Sequence, residues 1–228
     1  MTRHALISLS DKRGSEDLAK ELAGLGYQIL STSSTARHLR ERGVEVREVS
    51  DLTGFPEILD GRVKTLHPRI HAGILADRSR QEHLQALREL GIEQIDVVAV
   101  NLYPFRQTLQ RGDATPEEII ENIDIGGPAL VRAAAKNYQG VLVLTDPEDY
   151  QPTLEQLRAG GVSPEWRILL ARKAFRLVSA YDALIASYFA GLAAETQSLP
   201  GSYSLDCRLD ARLRYGENPH QQGGFYLS

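Results

Sequence analysis

The order of predicted strands and helices in the first fifty residues constrains the fold more than any other feature of the sequence. Three short apolar runs predict strands, at residues 4–9, 27–31 and 44–49. The stretches between them read as amphipathic helices that end at Gly26 and Gly43, the first with Ser15 as its N-cap. A β-α-β-α-β order is typical of a parallel sheet with helices on its faces.

The rest of the chain continues this alternation. Two further apolar runs predict central parallel strands, at residues 95–100 and 140–145. Helical patterns follow at residues 80–90, 116–120, 128–136 and 163–191, the last of which predicts one or two helices packed outside the sheet. The sequence therefore predicts an α/β fold whose mostly parallel central sheet is flanked by helices.

Composition narrows the class of protein. At 228 residues, the chain is long enough for one large domain, or for one domain and the start of another. A formal net charge of −4 disfavours a general nucleic-acid binder, and the single cysteine excludes an internal disulfide. No apolar run approaches the roughly 18 residues of a membrane span, and no signal peptide follows Met1. We therefore expect a cytoplasmic protein without membrane or nucleic-acid partners.

The segment Gly61–Gly73 concentrates basic side chains. It places five within ten residues: Arg62, Lys64, His67, Arg69 and His71. Such a loop suits an anionic ligand, although charge runs are also commonly plain solvated surface. The two histidines have the spacing of helical zinc ligands, but no third ligand accompanies them, and we predict no metal site.

Polar residues also follow the predicted strands, at the edge where parallel sheets bind ligands. Lys12 follows the first strand and Thr32–Thr35 the second, and together they would suit a phosphate, although Ser and Thr also cap helices generally. Asn101 and Tyr103 follow the strand at 95–100. No dinucleotide-binding or P-loop motif is present.

Asp124 and Lys136 form a possible acid–base pair, provided that the fold brings them together. Gly126 and Gly127 between them would allow a close approach by a ligand. The alternative for Lys136 is a cation that favours the C-terminal end of its helix. Beyond Gln197, the Pro-Gly-containing stretch 199–202 predicts a linker, and residues 205–213 predict a strand in a tail too short to bury its own core.

Taken together, these motifs resemble the inosine monophosphate cyclohydrolase domain of the bifunctional purine-biosynthesis proteins. The resemblance spans residue 4 to about residue 195 and rests on segments matching in order and spacing: 8–12, 51–57, 61–73 (with the specific string RVKTLHP), 101–105, 123–127 and 133–137. The string LRYGENPHQ at 213–221 resembles the opening of the formyltransferase domain. We accordingly predict a cyclohydrolase domain at 1–197, and a linker with an incomplete formyltransferase start at 198–228.

The resemblance implies a methylglyoxal-synthase-like, Rossmann-type three-layer sandwich with extra C-terminal helices, acting as a homodimer on a ribonucleotide monophosphate. The implied reaction converts 5-formamidoimidazole-4-carboxamide ribotide into inosine monophosphate and water. It needs no cofactor, and 10-formyltetrahydrofolate would serve only the absent formyltransferase domain. Arg214 and Tyr215 match substrate-binding positions of that second domain, although they cannot run its reaction alone.

The resemblance also assigns roles to residues. Lys64 would stabilise the negative charge on the formyl oxygen, Lys136 tuned by Asp124 would move protons, and Asn101 and Tyr103 would orient the carboxamide. The remaining positions are implied to bind the substrate: Ser10, Asp11, Lys12, Thr32, Ser33, Ser34, Thr35, Arg62, Val63, Thr65, Ile125, Gly126 and Gly127.

One position departs from the family pattern. The family usually has Ser-Gly-Gly-Thr where this chain has Thr32-Ser33-Ser34-Thr35. We therefore expect this segment to bind phosphate in an altered way. A non-catalytic nucleotide-sensing domain of the same fold is the alternative function, but it would not need Lys64, Asp124 and Lys136. Methylglyoxal synthase activity has no support, because the RVKTLHP segment belongs to the cyclohydrolases.

Overall fold

The computed structural model describes residues 3–192, 207–218 and 220–227. The chain forms two compact units, Met1–Val178 and Ser179–Ser228. The strands are β1 (Arg3–Ser8), β2 (Tyr27–Ser31), β3 (Arg47–Glu48), β4 (Val97–Val100), β5 (Leu142–Leu144), β6 (Arg208–Arg212) and β7 (Gly224–Leu227). The helices are α1 (Ser15–Gly24), α2 (Ser33–Arg40), α3 (Val49–Thr53), α4 (Pro68–Leu75), α5 (Gln81–Glu89), α6 (Phe105–Gln110), α7 (Pro116–Glu121), α8 (Gly126–Lys136), α9 (Tyr150–Arg158) and α10 (Pro164–Leu192).

Five parallel strands form the central sheet, in the order β3-β2-β1-β4-β5. β1 lies in the middle, where Ala5 pairs with Ile29 of β2 on one side and with Val97 of β4 on the other. The side chains of Leu6 and Ile7 are fully buried. A strand that is apolar on both faces is expected where helices cover both faces of a sheet. The predicted α/β fold with a parallel sheet is confirmed.

Helix α1 begins one residue earlier than a Ser15 N-cap would place it. Gly14 is the N-cap and has φ +66°, a left-handed conformation that costs glycine little. Ser15 is instead the first helical residue, and its hydroxyl donates a hydrogen bond to the Lys12 carbonyl at 2.7 Å. The hydroxyl therefore stabilises the turn before the helix.

The third predicted strand is much shorter in the structure. Only Arg47 and Glu48 pair with β2, at the edge of the sheet, and Val49 already begins α3. A capping box explains the early change, because Glu48 and Asp51 each bind the other's backbone N–H. The alternating pattern at 44–49 reflected burial of Val44, Val46 and Val49, which does not require strand pairing.

The basic segment is a loop only in its first half. Pro68 occupies the first turn of α4, and the His67 Nδ1 atom accepts a hydrogen bond from the Arg69 backbone N–H at 3.1 Å. Proline suits this position because its missing N–H would have no helical partner there. On the same helix, Gly73 packs against the Glu93 carbonyl, where a Cβ atom would not fit.

The second unit contains an antiparallel hairpin of β6 and β7. β6 falls within the strand predicted at 205–213, whereas β7 was not predicted. The predicted linker at 199–202 and the boundary at 197/198 lie outside the described residues, so that boundary remains a prediction. Within the described part of the chain, no helix combines the length and apolar character that crossing a membrane requires.

Backbone strain at Gly14 gives a test of the α1 entry. We expect Gly14→Ala to lower the free energy of unfolding by about 1 kcal/mol or more, because alanine disfavours positive φ. Urea denaturation measures this change. The control is Gly24→Ala, where an added Cβ meets no atom within 4 Å and alanine should leave stability unchanged or raise it by up to about 1 kcal/mol. Equal losses at both positions would contradict the assignment.

Candidate active site

Two cavities lie at opposite edges of the central sheet. The one at the carboxyl ends of the strands has a volume of about 360 Å³ and lies between the loop at 60–65, Tyr103, and residues 120–126. The other, of about 480 Å³, lies at the amino ends and is lined by none of the predicted site residues. Ligands of open parallel sheets bind at the carboxyl ends, so we take the smaller cavity as the candidate site and call it the carboxyl-edge pocket.

Asp124 is held in this pocket by the start of α8. The Gly127 backbone N–H donates a hydrogen bond to the Asp124 Oδ1 atom at 2.8 Å. A Cβ atom at Gly127 would collide with the same carboxylate, and one at Gly126 would lie 2.8 Å from the Thr65 hydroxyl oxygen. Both glycines are therefore required for this close packing of side chains, whereas the close approach by a ligand that the sequence suggested stays a prediction.

The Asp124 carboxyl has a raised pKa. Burial is the largest cause, since it disfavours the charged form. Three opposing influences stabilise the carboxylate: the backbone N–H groups of Gly127 and Tyr103, and the positive charge of Lys64. The result is a carboxylate that binds a proton more readily than an ordinary aspartate, directly inside a pocket.

Lys64 reaches the pocket from a stiff turn. Ile58 and Val63 form two backbone hydrogen bonds, of 3.1 and 3.3 Å, across the turn that contains Leu59 and Asp60. Lys64 is half-buried, lines the carboxyl-edge pocket, and lies with its Nζ atom 3.5 Å from Glu57 Oε1. It also lines a neighbouring cavity of about 40 Å³ beside α2.

Arg62 spans the mouth of the carboxyl-edge pocket. Its guanidinium forms an ion pair with Glu121 at the end of α7, with Nε 3.3 Å from Glu121 Oε1. This hydrogen bond lowers the pKa of Glu121 and raises that of Arg62. Both groups are exposed, so the pair contributes little to stability, although it joins two walls of the pocket. Ile125 lies exposed on the rim.

The threonines at the second strand-to-helix junction, between β2 and α2, form hydrogen bonds within the protein. The Thr32 and Ser8 hydroxyl oxygens are 3.0 Å apart, and the Thr35 hydroxyl accepts from the Leu9 N–H and donates to the Leu9 carbonyl. They tie the ends of β1 and β2 together. Ser33 is half-buried and Ser34 exposed, which makes these two serines the accessible hydroxyls at the start of α2.

Asn101 stabilises the first strand-to-helix junction, the loop between β1 and α1. Its side-chain oxygen accepts from the N–H groups of Ser10, at 2.7 Å, and Asp11, at 3.1 Å, while its amide nitrogen donates to the Asp11 carbonyl at 2.7 Å. An amide has only two N–H donors, so at most one is left for a ligand. Asn101 thus shapes the loop, and its implied role of orienting the substrate stays a prediction.

The remaining groups of this junction are arranged around that loop. The Arg13 guanidinium donates to the Asp11 carboxylate at 2.7 Å and lowers its pKa. Lys12 is half-buried, with its Nζ atom 3.5 Å from the Ser10 carbonyl oxygen. Asp11 is therefore already paired, and Lys12 is the cation of this loop that an anionic ligand could reach.

Lys136 does not reach Asp124 within this chain. Asp124 precedes α8 at the carboxyl edge, whereas Lys136 ends the same helix. At 1.5 Å per residue, the helix separates its two ends by about 15 Å. The next residue, Asn137, donates to the carbonyls of Ile74 and Ala76 at the end of α4. The predicted acid–base pair is therefore not formed within one chain.

The histidines of the basic segment have separate surroundings. His67 caps α4, while the His71 Nε2 atom is buried without a hydrogen-bond partner among the described residues, and burial lowers the His71 pKa. The described ranges contain no group of three His, Cys, Asp or Glu side chains arranged to hold a metal ion. Arg214 and Tyr215 are exposed in the second unit.

Two residues of the site were not predicted, Glu57 and Glu121. Glu57 contacts Lys64 and Ser33, and Glu121 contacts Arg62. Glu57 lies within the motif at 51–57, but the sequence of a loop without periodicity does not indicate which residues its carboxylate contacts. A short helix with a capping box at Thr115 and Glu118 orients Glu121, and that signal was present in the sequence.

Two family models match the chain. The model of the MGS-like domain matches residues 14–129, just over half of the chain, and the model of the AICARFT/IMPCHase bienzyme matches residues 134–228.

Similar proteins include the bifunctional purine biosynthesis protein PurH of Persephonella marina, 54% identical over 229 residues, and that of Bacillus subtilis, 50% identical over 225 residues. These alignments cover 100% and 98% of this chain but 44% of each relative. The chain thus spans less than half the length of these relatives. The crystal structure of ForH is 41% identical, with a TM-score of 0.74, and the match covers 82% of this chain and 97% of ForH.

The electrostatics of the pocket can be tested by titration. Lys64 favours the ionised form of Asp124, so we expect Lys64→Met to raise the Asp124 pKa further. Carbon-13 NMR of the labelled carboxyl group measures it. Lys136→Met is the matched control, and it should leave the Asp124 pKa unchanged because its charge lies at the far end of α8. An Asp124 pKa that responds to Lys136 and not to Lys64 would contradict the geometry.

Proposed function

The chain belongs to the MGS-like domain family, and we propose that it is an inosine monophosphate cyclohydrolase of purine biosynthesis. Its substrate would be 5-formamidoimidazole-4-carboxamide ribotide, and its products inosine monophosphate and water. The AICARFT/IMPCHase match and the PurH relatives support this proposal. The observation that carries it is the convergence of the Lys64 ammonium and the Asp124 carboxylate on one pocket at the ligand-binding edge of the sheet.

Ring closure needs a cation and a base at different atoms. The carboxamide nitrogen attacks the formyl carbon, a C–N bond forms, and negative charge develops on the formyl oxygen. Lys64 is placed to stabilise that oxygen, an interaction that is stronger in the transition state than in the ground state. The attacking nitrogen must lose a proton, and the raised pKa of Asp124 suits it as the acceptor.

The second half of the reaction expels water. The oxyanion first takes up the proton that left the attacking nitrogen and becomes a hydroxyl. That hydroxyl must gain a second proton as its C–O bond breaks, while the formamido nitrogen loses its proton and a C=N bond forms. Asp124 can carry both protons in turn, the first from the attacking nitrogen to the oxyanion and the second from the formamido nitrogen to the departing hydroxyl, so one carboxyl group can serve both steps. This assignment replaces Lys136, which the fold places at the opposite end of α8.

Orientation supplies the rest of the rate enhancement. The reaction joins two groups on neighbouring ring carbons, so a site that holds them in the attacking geometry lowers the entropic part of the barrier. Tyr103, Thr65 and the backbone at Gly126 line the same pocket. The ribose phosphate would extend toward Lys12 and the accessible serines at the N-terminus of α2, whose dipole favours an anion.

We further propose that the protein acts as a cytoplasmic homodimer without a cofactor, as its resemblance implies. Its partner is a ribonucleotide monophosphate rather than a nucleic acid or a membrane. Arg214 and Tyr215 match substrate-binding positions of a formyltransferase domain, whose reaction uses 10-formyltetrahydrofolate.

Turnover of the formylated ribotide tests the proposal. Ultraviolet absorbance should rise as the purine forms, and Lys64→Ala should lower kcat by about 10²- to 10³-fold because it removes charge stabilisation of the oxyanion. Lys20→Ala is the control, since Lys20 is exposed on α1 and pairs with Glu16. A folded wild-type chain that binds inosine monophosphate without turnover would support a nucleotide sensor instead.

The base is tested separately. We expect Asp124→Asn to lower kcat by about 10²- to 10⁴-fold with little change in KM, because proton transfer is lost while the pocket is preserved. Lys136→Ala should have a much smaller effect if each chain acts through its own pocket. Steady-state kinetics of the two variants measure these effects. Equal losses of kcat would indicate that Lys136 also takes part in proton transfer.

A further inference from the structure

Glu57 links the pocket to the N-terminus of α2. Its Oε2 atom accepts a hydrogen bond from the Ser33 hydroxyl, and its Oε1 atom lies 3.5 Å from the Lys64 Nζ atom. It also lies beside Gly61, where a Cβ atom would be only 2.5 Å from Oε1. The Glu57 carboxylate thus contacts both the Ser33 hydroxyl at the start of α2 and the Lys64 ammonium group of another loop.

Ser33 has an unusual backbone conformation. It is the first residue of α2 and has φ +29°, a value that non-glycine residues rarely adopt. Such a conformation costs free energy and persists only when its surroundings hold it in place. The Ser33 side chain donates a hydrogen bond to Glu57. Glu57 is therefore positioned to hold Ser33 in this conformation.

The position of the Glu57 carboxylate is one that suits an anion. It lies at a helix N-terminus, where the dipole favours negative charge, and it faces a hydroxyl donor and an ammonium group. The adjoining cavity, lined by Thr32, Ser33, Glu57 and Lys64, has a volume of only about 40 Å³. A phosphate on these donors would have to displace the carboxylate.

We propose that Glu57 is a positioning residue that competes with the 5′-phosphate of the ligand for the Ser33 hydroxyl and holds Lys64 until the phosphate binds. This inference rests on the proposed function. When a phosphate binds at the start of α2, like-charge repulsion drives the Glu57 carboxylate away, and Lys64 is released from it toward the carboxyl-edge pocket. Binding of the phosphate is thereby coupled to the placement of the lysine that stabilises the oxyanion, and ligands without a phosphate do not trigger the exchange.

The Glu57→Gln variant tests this competition. Calorimetry with inosine monophosphate should show a Kd about three- to tenfold lower than in the wild type, since one unfavourable charge is removed at short range. The Kd for inosine, which has no phosphate, should not change. In turnover, KM should fall while kcat stays within about threefold. A purely structural role for Glu57 would instead weaken the binding of both ligands.

Two further variants make the result specific. Glu48→Gln removes a second carboxylate that lines the same small cavity but pairs with Arg40 at 2.6 Å, and it should alter the Kd by less than about twofold. In a Ser33→Ala background, the effect of Glu57→Gln should shrink, because the carboxylate is no longer held at the helix terminus.

The outcomes separate the two proposals. Equal tightening by Glu48→Gln and Glu57→Gln would overturn the competition in favour of a general charge effect. The wild type could bind inosine monophosphate and turn over the formylated ribotide while Glu57→Gln left the Kd for inosine monophosphate unchanged. That result would overturn only the role of Glu57. A wild-type chain that neither bound inosine monophosphate nor turned over the formylated ribotide would overturn the proposed function as well.

Discussion

The common direction of the five strands is the constraint on which the site depends. Because β1 to β5 are parallel, every segment that leaves a strand does so at one edge, and every helix that returns to the sheet ends at the other. Asn101, Tyr103, Asp124 and the start of α2 are therefore gathered at the carboxyl edge. The same rule carries Lys136 away from Asp124.

Local interactions then convert this edge into a pocket with defined electrostatics. The Asn101 amide fixes the loop after β1, and the two glycines at the start of α8 admit the Asp124 carboxylate and the Thr65 hydroxyl at close range. Burial makes that carboxylate more basic, while Lys64 and two backbone N–H groups limit the effect. The base and the cation share one small space, in which the charge of Lys64 favours the ionised form of Asp124.

The sequence was sufficient for features that depend on local pattern. The continuous apolar run at β4 and the position of Asn101 after it follow from hydropathy alone. It was insufficient where a tertiary partner decides the outcome. The alternating run at 44–49 contains only a two-residue strand, Arg47–Glu48, because a capping box begins α3. Helix α4 was not predicted, because the basic segment around Pro68 was read as a loop.

The partners of individual site residues could not be predicted from spacing. Glu57 and Lys64 are seven residues apart, and the Ser33 hydroxyl reaches the same carboxylate from another junction. Only the structure shows that the Glu57 carboxylate contacts both Lys64 and Ser33. By contrast, the separation of Asp124 from Lys136 was accessible from helix geometry, because about three turns of unbroken helix cannot bring its ends together.

A crystal structure of the chain with inosine monophosphate tests the central claim most directly. The account predicts the purine ring in the carboxyl-edge pocket beside Lys64 and Asp124, the 5′-phosphate at the N-terminus of α2, and the Glu57 carboxylate moved away from Ser33. A nucleotide bound in the cavity at the amino edge, or a purine ring beyond the reach of both Lys64 and Asp124, would contradict it.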